Sequence, residues 1–199
     1  MKTTFITYVL KVSTILILAV LLVTSACKNG GESSLKSGAD STTKDTVKPP
    51  QVDIHTAVVT DNLQAVKQHI AAGSDLNEKD PYGGSSPLIS AAVFGKTESA
   101  RLLIDAGVDL NFKNNDGSTA LHSAAFFCRP EIVQMLLEKG ADKTIKNSFG
   151  ATAYETVIPP YDEVKNIYDI MGKTLGPLGL KLDHAYIQKT RPEIASMLK

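Results

Sequence analysis

The stretch GSTALHSAAFFC, residues 117–128, has a close copy in GSSPLISAAVFG, residues 84–95, at an offset of 33. The segments that follow them, EIVQMLLEKG and ESARLLIDAG, keep the same offset. Their glycines, with an earlier one, fall at residues 73, 107 and 140, spaced by 34 and 33. Self-similarity at such a period is typical of stacked repeats. His122 is therefore interpreted as one position of a repeat, and we predict no catalytic residue there.

Each copy of the repeat predicts a pair of short helices. In the third copy, Leu121, Ala124 and Ala125 share one face of the first helix, where alanine lets a neighbouring helix approach closely. Pro130 suits the first turn of the second helix, and Gly140 suits a left-handed cap at its end. Aromatic residues make up only 6% of the chain and tryptophan is absent. We therefore predict an all-α protein.

This order of glycines, alanines and apolar residues resembles the ankyrin repeat over residues 53–158. The resemblance implies an all-α solenoid of about four helix-turn-helix repeats with short hairpin fingers. It also implies that His122 hydrogen-bonds toward Thr119 and nearby backbone, with His55 in the same place in the first copy. Cys128 stands where the family uses glycine, and we expect it to be a small buried side chain.

The fourth copy is irregular. Residues 148–157 match a first helix, and two prolines then stop it. Its second helix is either residues 161–171, whose apolar residues have helical spacing, or residues 191–199, which repeat the word RPEI of the third copy. We favour the second interpretation because the RPEI motif is repeated without a change. It implies an insertion at about residues 159–190.

The N-terminus is predicted to be a signal peptide, residues 1–26. Its apolar run, residues 12–23, is short for a bilayer core of about 30 Å. The word VTSAC that ends at Cys27 resembles the cleavage box of bacterial lipoproteins, with Thr24 as a departure from the usual residue. The resemblance implies a diacylglycerol and an N-acyl chain such as palmitate on Cys27. Cleavage after Ala26 that leaves a free thiol is the alternative.

The segment after the cysteine, residues 28–52, is polar and rich in Ser, Thr, Lys and Gly, which predicts that residues 27–52 are the lipidated cysteine and a disordered tether. The folded domain is then residues 53–199. Together these features predict a lipid-anchored protein of a bacterial cell envelope, on the periplasmic face or at the outer membrane.

Charge and motifs exclude several classes of function. The chain has 21 basic and 21 acidic residues, so no excess positive field favours nucleic acid. The word GKT at residues 172–174 lacks the glycine and strand of a phosphate-binding loop. Asp183 and His184 have no second histidine or cysteine at metal-ligand spacing. We predict no cofactor and no metal.

The resemblance to ankyrin repeats implies a non-catalytic monomer that binds a protein ligand on a concave face of fingers and first helices. The ligand class includes a toxin or enzyme that the protein neutralises or protects. The alternative is an enzyme or small-ligand site in the 159–190 insertion. Phe94 and Phe127 are expected to line up along the groove, unless one phenylalanine of each pair is core packing. The implied contact residues are Tyr82, Ser85, Val93, Phe94, Asn115, Asp116, Ser118, Phe126, Phe127, Ser148 and Phe149.

Overall fold

The computed structural model describes residues 47–199, which form one compact unit, Val47–Lys199. The predicted signal peptide, Cys27 and the tether up to residue 46 lie outside the described residues. Among residues 47–199, no helix combines the length and apolar character that crossing a bilayer requires.

The described residues form α-helices joined by turns, with no strand among them, as predicted. Three consecutive helix pairs are followed by a 3-10 turn, a long helix, a second 3-10 turn and a last helix. The helices are α1 (Ile54–Val59), α2 (Leu63–Ala71), α3 (Pro87–Phe94), α4 (Thr97–Asp105), α5 (Ala120–Phe126), α6 (Pro130–Glu138), α7 (Tyr161–Leu175) and α8 (His184–Leu198), with 3-10 turns at Tyr154–Thr156 and Gly176–Leu178.

The helix pairs stack side by side. The first helices α1, α3 and α5 pack in sequence against one another, and the second helices α2, α4 and α6 do the same. Ala91, Ala92, Ala124 and Ala125 are fully buried in this stack, beside Leu121. Alanine brings the helix backbones close, so each pair buries its apolar face against the next one.

A residue in the left-handed backbone region follows the first helix of each pair. Asp61, Gly95 and Cys128 take this place, with φ angles of 59°, 66° and 54°. The side chain of Cys128 is buried, as predicted. Cysteine therefore tolerates a conformation that favours glycine, and packing keeps it there.

The last repeat departs from the helix-pair pattern. The 3-10 turn at Tyr154–Thr156 takes the place of a first helix. Helix α8 packs against α6 and so holds the position of the second helix. It begins at His184, seven residues before Arg191. Asp183 caps it, because its Oδ1 accepts hydrogen bonds from the amides of Ala185 and Tyr186. Pro192 lies inside this helix on an exposed face, where water can satisfy the carbonyl that lacks its N–H donor.

The inserted helix α7 docks on the third repeat through Tyr168, which is fully buried. Its ring stacks on Phe126 with 4.6 Å between the ring centres, and its hydroxyl donates to the carbonyl of Phe126 at 2.6 Å. Arg191 donates to the same hydroxyl at 2.7 Å and to the carbonyl of Pro159 at 2.8 Å. One buried tyrosine and one buried arginine thus join α7, α8 and the third repeat.

The segment before α1 is bound to α2. Gln68 Nε2 donates to the carbonyl of Lys48 at 2.9 Å, and His69 Nε2 lies 2.8 Å from the carbonyl of Val52. Val52 also packs against the core. The folded domain therefore includes residues 48–52, and the tether predicted to extend to residue 52 is too long. The polar residues of the first copy cover an end of the stack.

Replacing Gly95 by alanine is expected to cost more stability than replacing Gly107. Both glycines have positive φ, 66° and 79°, so each substitution costs about 1–2 kcal/mol of backbone strain. A Cβ on Gly95 would also lie 2.9 Å from Arg129 Cζ, whereas none lies within 4 Å at Gly107. Displacing Arg129 breaks its hydrogen bond to the carbonyl of Val93 and costs about 1 kcal/mol more. Denaturant unfolding measures both variants, and equal losses would contradict this packing.

Candidate protein-binding surface

Three hairpin fingers project between the repeats, and one side chain organises each turn. Asp80 Oδ1 accepts from the amides of Tyr82 and Gly83 at 2.8 and 2.7 Å. Asn114 Oδ1 accepts from the amides two and four residues on, at 3.0 and 2.8 Å, and Asn147 Oδ1 does the same at 3.1 Å for both. Partial burial raises the pKa of Asp80, but these amide hydrogen bonds outweigh it and leave the pKa below its usual range. The second and third fingers therefore share one turn geometry. The first turn is one residue longer, and Asp80 closes it with its second oxygen, Oδ2, which accepts from the amide of Ser85 at 2.6 Å.

Hydrogen bonds also join each finger to the next. The amide of Asn115 donates to the carbonyl of Gly83 at 3.0 Å, and the amide of Ser148 donates to the carbonyl of Asp116 at 2.9 Å. A Cβ on Gly117 would approach Ser148 N to 2.9 Å, so this contact requires glycine. The tips are thus held in fixed order along the stack.

A second set of hydrogen bonds between neighbouring fingers repeats nearer to the helices. Asn77 Oδ1 accepts from the amide of Asp109 at 3.0 Å, and Asn111 Oδ1 accepts from the amide of Asp142 at 2.9 Å. Sequence reasoning missed these residues and the three turn organisers. Their signal was present as Asp or Asn side chains recurring at spacings of 34 and 33.

His122 has the structural role that was predicted. Its Nδ1 accepts from the amide of Thr119 at 3.3 Å and lies 2.9 Å from the Thr119 hydroxyl. Nε2 therefore carries the proton and donates to the carbonyl of Ala151 in the next finger, at 3.0 Å. Burial lowers the pKa of His122 and keeps the ring neutral. In the fourth repeat Glu155 replaces this histidine and accepts from the amide and hydroxyl of Thr152.

The predicted contact residues divide into three groups by exposure. Tyr82 is 82% exposed and Phe149 is 37% exposed. Asn115, Asp116 and Ser148 are also exposed, so five predicted residues lie together on the linked fingertips. The half-buried group consists of Ser85, Val93, Phe94, Ser118 and Phe126.

Phe127 forms the third group and corrects one prediction. It is only 6% exposed and meets Phe126 edge to face, with 5.1 Å between the ring centres. Phe126 is itself covered by Tyr168 of α7. Phe127 does not line an open groove beside Phe94. The predicted alignment is corrected in favour of its stated alternative, in which one phenylalanine of the pair is core packing. The physical reason is that Phe127 packs inward at the end of α5, against Phe126, while the inserted helix α7 covers Phe126 itself.

The insertion brings together a polar row that the sequence did not predict. The Tyr161 hydroxyl hydrogen-bonds to His184 Nδ1, and His184 Nε2 lies 3.3 Å from Asp169 Oδ1. Lys165 Nζ contacts the other oxygen of Asp169 at 2.8 Å. The row links α7 to the start of α8. Within residues 47–199, no group of three or more His, Cys, Asp or Glu side chains is placed to hold a metal ion.

Cys128 lies apart from that row. Burial raises the pKa of its thiol to about 11, so the neutral thiol dominates at physiological pH and is a poor nucleophile.

Removing the acceptor from a turn organiser is expected to loosen its finger. Asn114→Ala leaves the amides of Asp116 and Ser118 without their partner and should lower the free energy of unfolding by about 1–2 kcal/mol. Asn114→Asp keeps the acceptor, as Asp80 does in the first finger, and should cost about 0.5 kcal/mol or less. Denaturant unfolding of the two variants measures the difference. Equal losses would show that the side chain does not organise the turn.

Comparisons with known proteins agree with this geometry. Residues 54–147 match the family model of ankyrin repeats in three copies. Protein phosphatase 1 regulatory subunit 27 is 36% identical over 74 residues in Mus musculus and 38% identical over 64 residues in Homo sapiens. These matches cover 37% and 32% of this chain, which spans 47% and 41% of the relatives, less than half of each. The crystal structure of the ankyrin repeat domain of Bcl-3, a member of the IkappaB family, matches with a TM-score of 0.50 at 32% identity, over 52% of this chain and 45% of that one. Residues 54–147 are therefore three copies of the ankyrin repeat, and the described chain has an ankyrin-repeat fold.

Proposed function

We propose that this protein is a non-catalytic interaction module that binds a protein ligand through its fingertips and the open part of its first-helix face. The observation that carries the proposal is the row of fingertips, locked together by backbone hydrogen bonds and exposing Tyr82, Asp116 and Phe149. A surface that is ordered before binding loses little entropy on binding, and exposed aromatic side chains are frequent interface anchors.

Asp116 adds a polar contact to this surface. Within residues 47–199 its carboxylate makes no hydrogen bond or ion pair, although it lies between two aromatic tips. The surrounding protein desolvates this carboxyl group and raises its pKa. A donor on a partner would compensate this desolvation, which makes Asp116 a polar contact of the proposed surface.

The open surface is limited on one side by α7. Because Tyr168 covers Phe126, the first-helix residues left for a ligand are Val93 and Phe94 of the second repeat. The similar phosphatase regulatory subunits support a protein as the ligand class, since a regulatory subunit acts on another protein.

We further propose that the module is a monomer anchored by lipid on Cys27 in a bacterial envelope, on the periplasmic face or at the outer membrane. The support is the apolar run of residues 12–23 and the VTSAC word before the polar segment. The ligand would then be an envelope protein, such as a toxin or enzyme that the module neutralises or protects.

A photo-crosslinking residue in place of Tyr82 is expected to form adducts with one partner protein in native envelopes. The control places the same residue at Leu178, which is 59% exposed but lies in the insertion. Phe149→Ala should reduce the Tyr82 adduct severalfold, because truncating an interface aromatic commonly costs more than 1 kcal/mol. Equal adducts from both positions would count against the fingertip surface.

Mature protein is expected to begin at Cys27 and to carry the mass of a diacylglycerol and an acyl chain. Cys27→Ser should release the protein from the membrane fraction, because stable anchoring by acyl chains needs more than one of them. Intact mass spectrometry and fractionation provide the readouts. A mature mass without acyl groups would exclude the lipid anchor and leave the binding surface unaffected.

A further inference from the structure

Three lysines stand at equivalent places in the three fingers. They are separated by 34 and 33 residues, and each immediately precedes the turn organiser of its finger. All three are exposed. The stacking of the repeats therefore presents one ammonium group per finger, in a lysine row formed by Lys79, Lys113 and Lys146.

The fingers hold this row in a fixed order. The bonds from Asn115 to Gly83 and from Ser148 to Asp116 tie each turn to the next. Lys79 Nζ lies 5.6 Å from the ring centre of Phe112, a residue of the following finger. This aromatic contact positions the ammonium group while leaving it at the surface.

The row lysines have no ion pair within residues 47–199, unlike Lys139 and Lys165, which contact aspartates at 2.9 and 2.8 Å. Glu78 and Asp80 flank Lys79 in the chain, and the Asp80 carboxylate is engaged by amides of its own turn. Two further carboxylates near Lys113 and Lys146 are engaged in their own turns. Hydrogen bonds from Thr144 are the main cause that lowers the pKa of Asp142, and Lys113 contributes less. Glu155 is held in the same way by Thr152, with a smaller contribution from Lys146.

The spacing of the row selects a kind of ligand. Packed helices are about 8–10 Å apart, so successive fingers carry their lysines at about that distance. A polyproline II segment, which is also extended, rises about 3.1 Å per residue with three residues per turn, so side chains three residues apart lie on one face about 9 Å apart. We infer that the lysine row binds an extended acidic segment of a protein partner, with carboxylates three residues apart. This inference rests on the proposed binding function and names the chemistry of its ligand.

Two features favour an acidic peptide over nucleic acid. Duplex DNA carries about one charge per 1.7 Å of its axis, far denser than one lysine per finger. The balance of 21 basic and 21 acidic residues offers no excess field to hold such a polymer. Asp116 repels a carboxylate at the middle fingertip, which restricts the acidic segment to the lysine row.

The test uses the full chain in mild detergent and a peptide with the core Glu-Gly-Ser-Glu-Gly-Ser-Glu, titrated at low ionic strength and followed by backbone amide chemical shifts. We expect saturable shifts at the fingers. Lys79→Gln, Lys113→Gln and Lys146→Gln together should raise the Kd about tenfold, because each exposed pair contributes modestly. The control combines Lys67→Gln, Lys143→Gln and Lys189→Gln, which removes the same charge from exposed positions outside the row and should change the Kd less than twofold.

A second peptide, Glu-Glu-Glu-Gly-Ser-Gly-Ser, keeps the composition but loses the spacing, and we expect it to bind severalfold more weakly. Equal binding of the two peptides, or equal effects of the two triple variants, would overturn the inference by showing unspecific charge attraction. If crosslinking at Tyr82 depends on Phe149 but the lysine row has no effect, the acidic ligand is wrong while the binding function stands. If the Tyr82 crosslink does not depend on Phe149 and peptide binding does not depend on the lysine row, both the binding function and the acidic ligand are wrong.

Discussion

No repeat of this protein can bury its apolar face by itself, and the stacking of neighbouring helix pairs is the constraint on which the rest depends. Stacking requires the backbones to approach closely, and the fully buried alanines at 91, 92, 124 and 125 permit it. The ends of such a stack need covers of their own. At one end Gln68 and His69 hold the segment of residues 48–52. At the other end, α8 packs against α6 and completes the last repeat.

The fingers obtain their rigidity from a different interaction. Their backbone amides are satisfied by Asp and Asn side chains within each turn and by carbonyl or asparagine oxygens of the neighbouring finger. Because each tip is tied to the next, side chains such as Tyr82 and Asp116 are held at the surface by hydrogen bonds of the turns and the backbone. The stack sets the spacing of the tips, and the turn chemistry sets their orientation.

The insertion between the two halves of the last repeat changes how much of the surface is open. A buried tyrosine and a buried arginine, Tyr168 and Arg191, satisfy each other and three backbone carbonyls. Removing either partner would leave the other polar group buried without its bond. The pair therefore fixes α7 on the third repeat, where its ring covers Phe126. The surface left open for the proposed ligand lies on the fingertips and the second repeat.

Much of this could be predicted from the chain alone, because repeat period, glycine positions and small buried residues are local signals that recur at 33 and 34 residues. They determined the helix pairs, the structural role of His122 and the burial of Cys128. The turn organisers recur with the same period. They were overlooked because Asp80 differs in residue type from Asn114 and Asn147, although all three side chains offer an Oδ1 acceptor. Three features depended on segments that meet only in space: the covering of Phe126 by Tyr168, the C-terminal limit of the tether, and the row of Tyr161, His184 and Asp169. The spacing of residues along the chain does not show which distant helix will cover a surface, so only the tertiary structure decided these features.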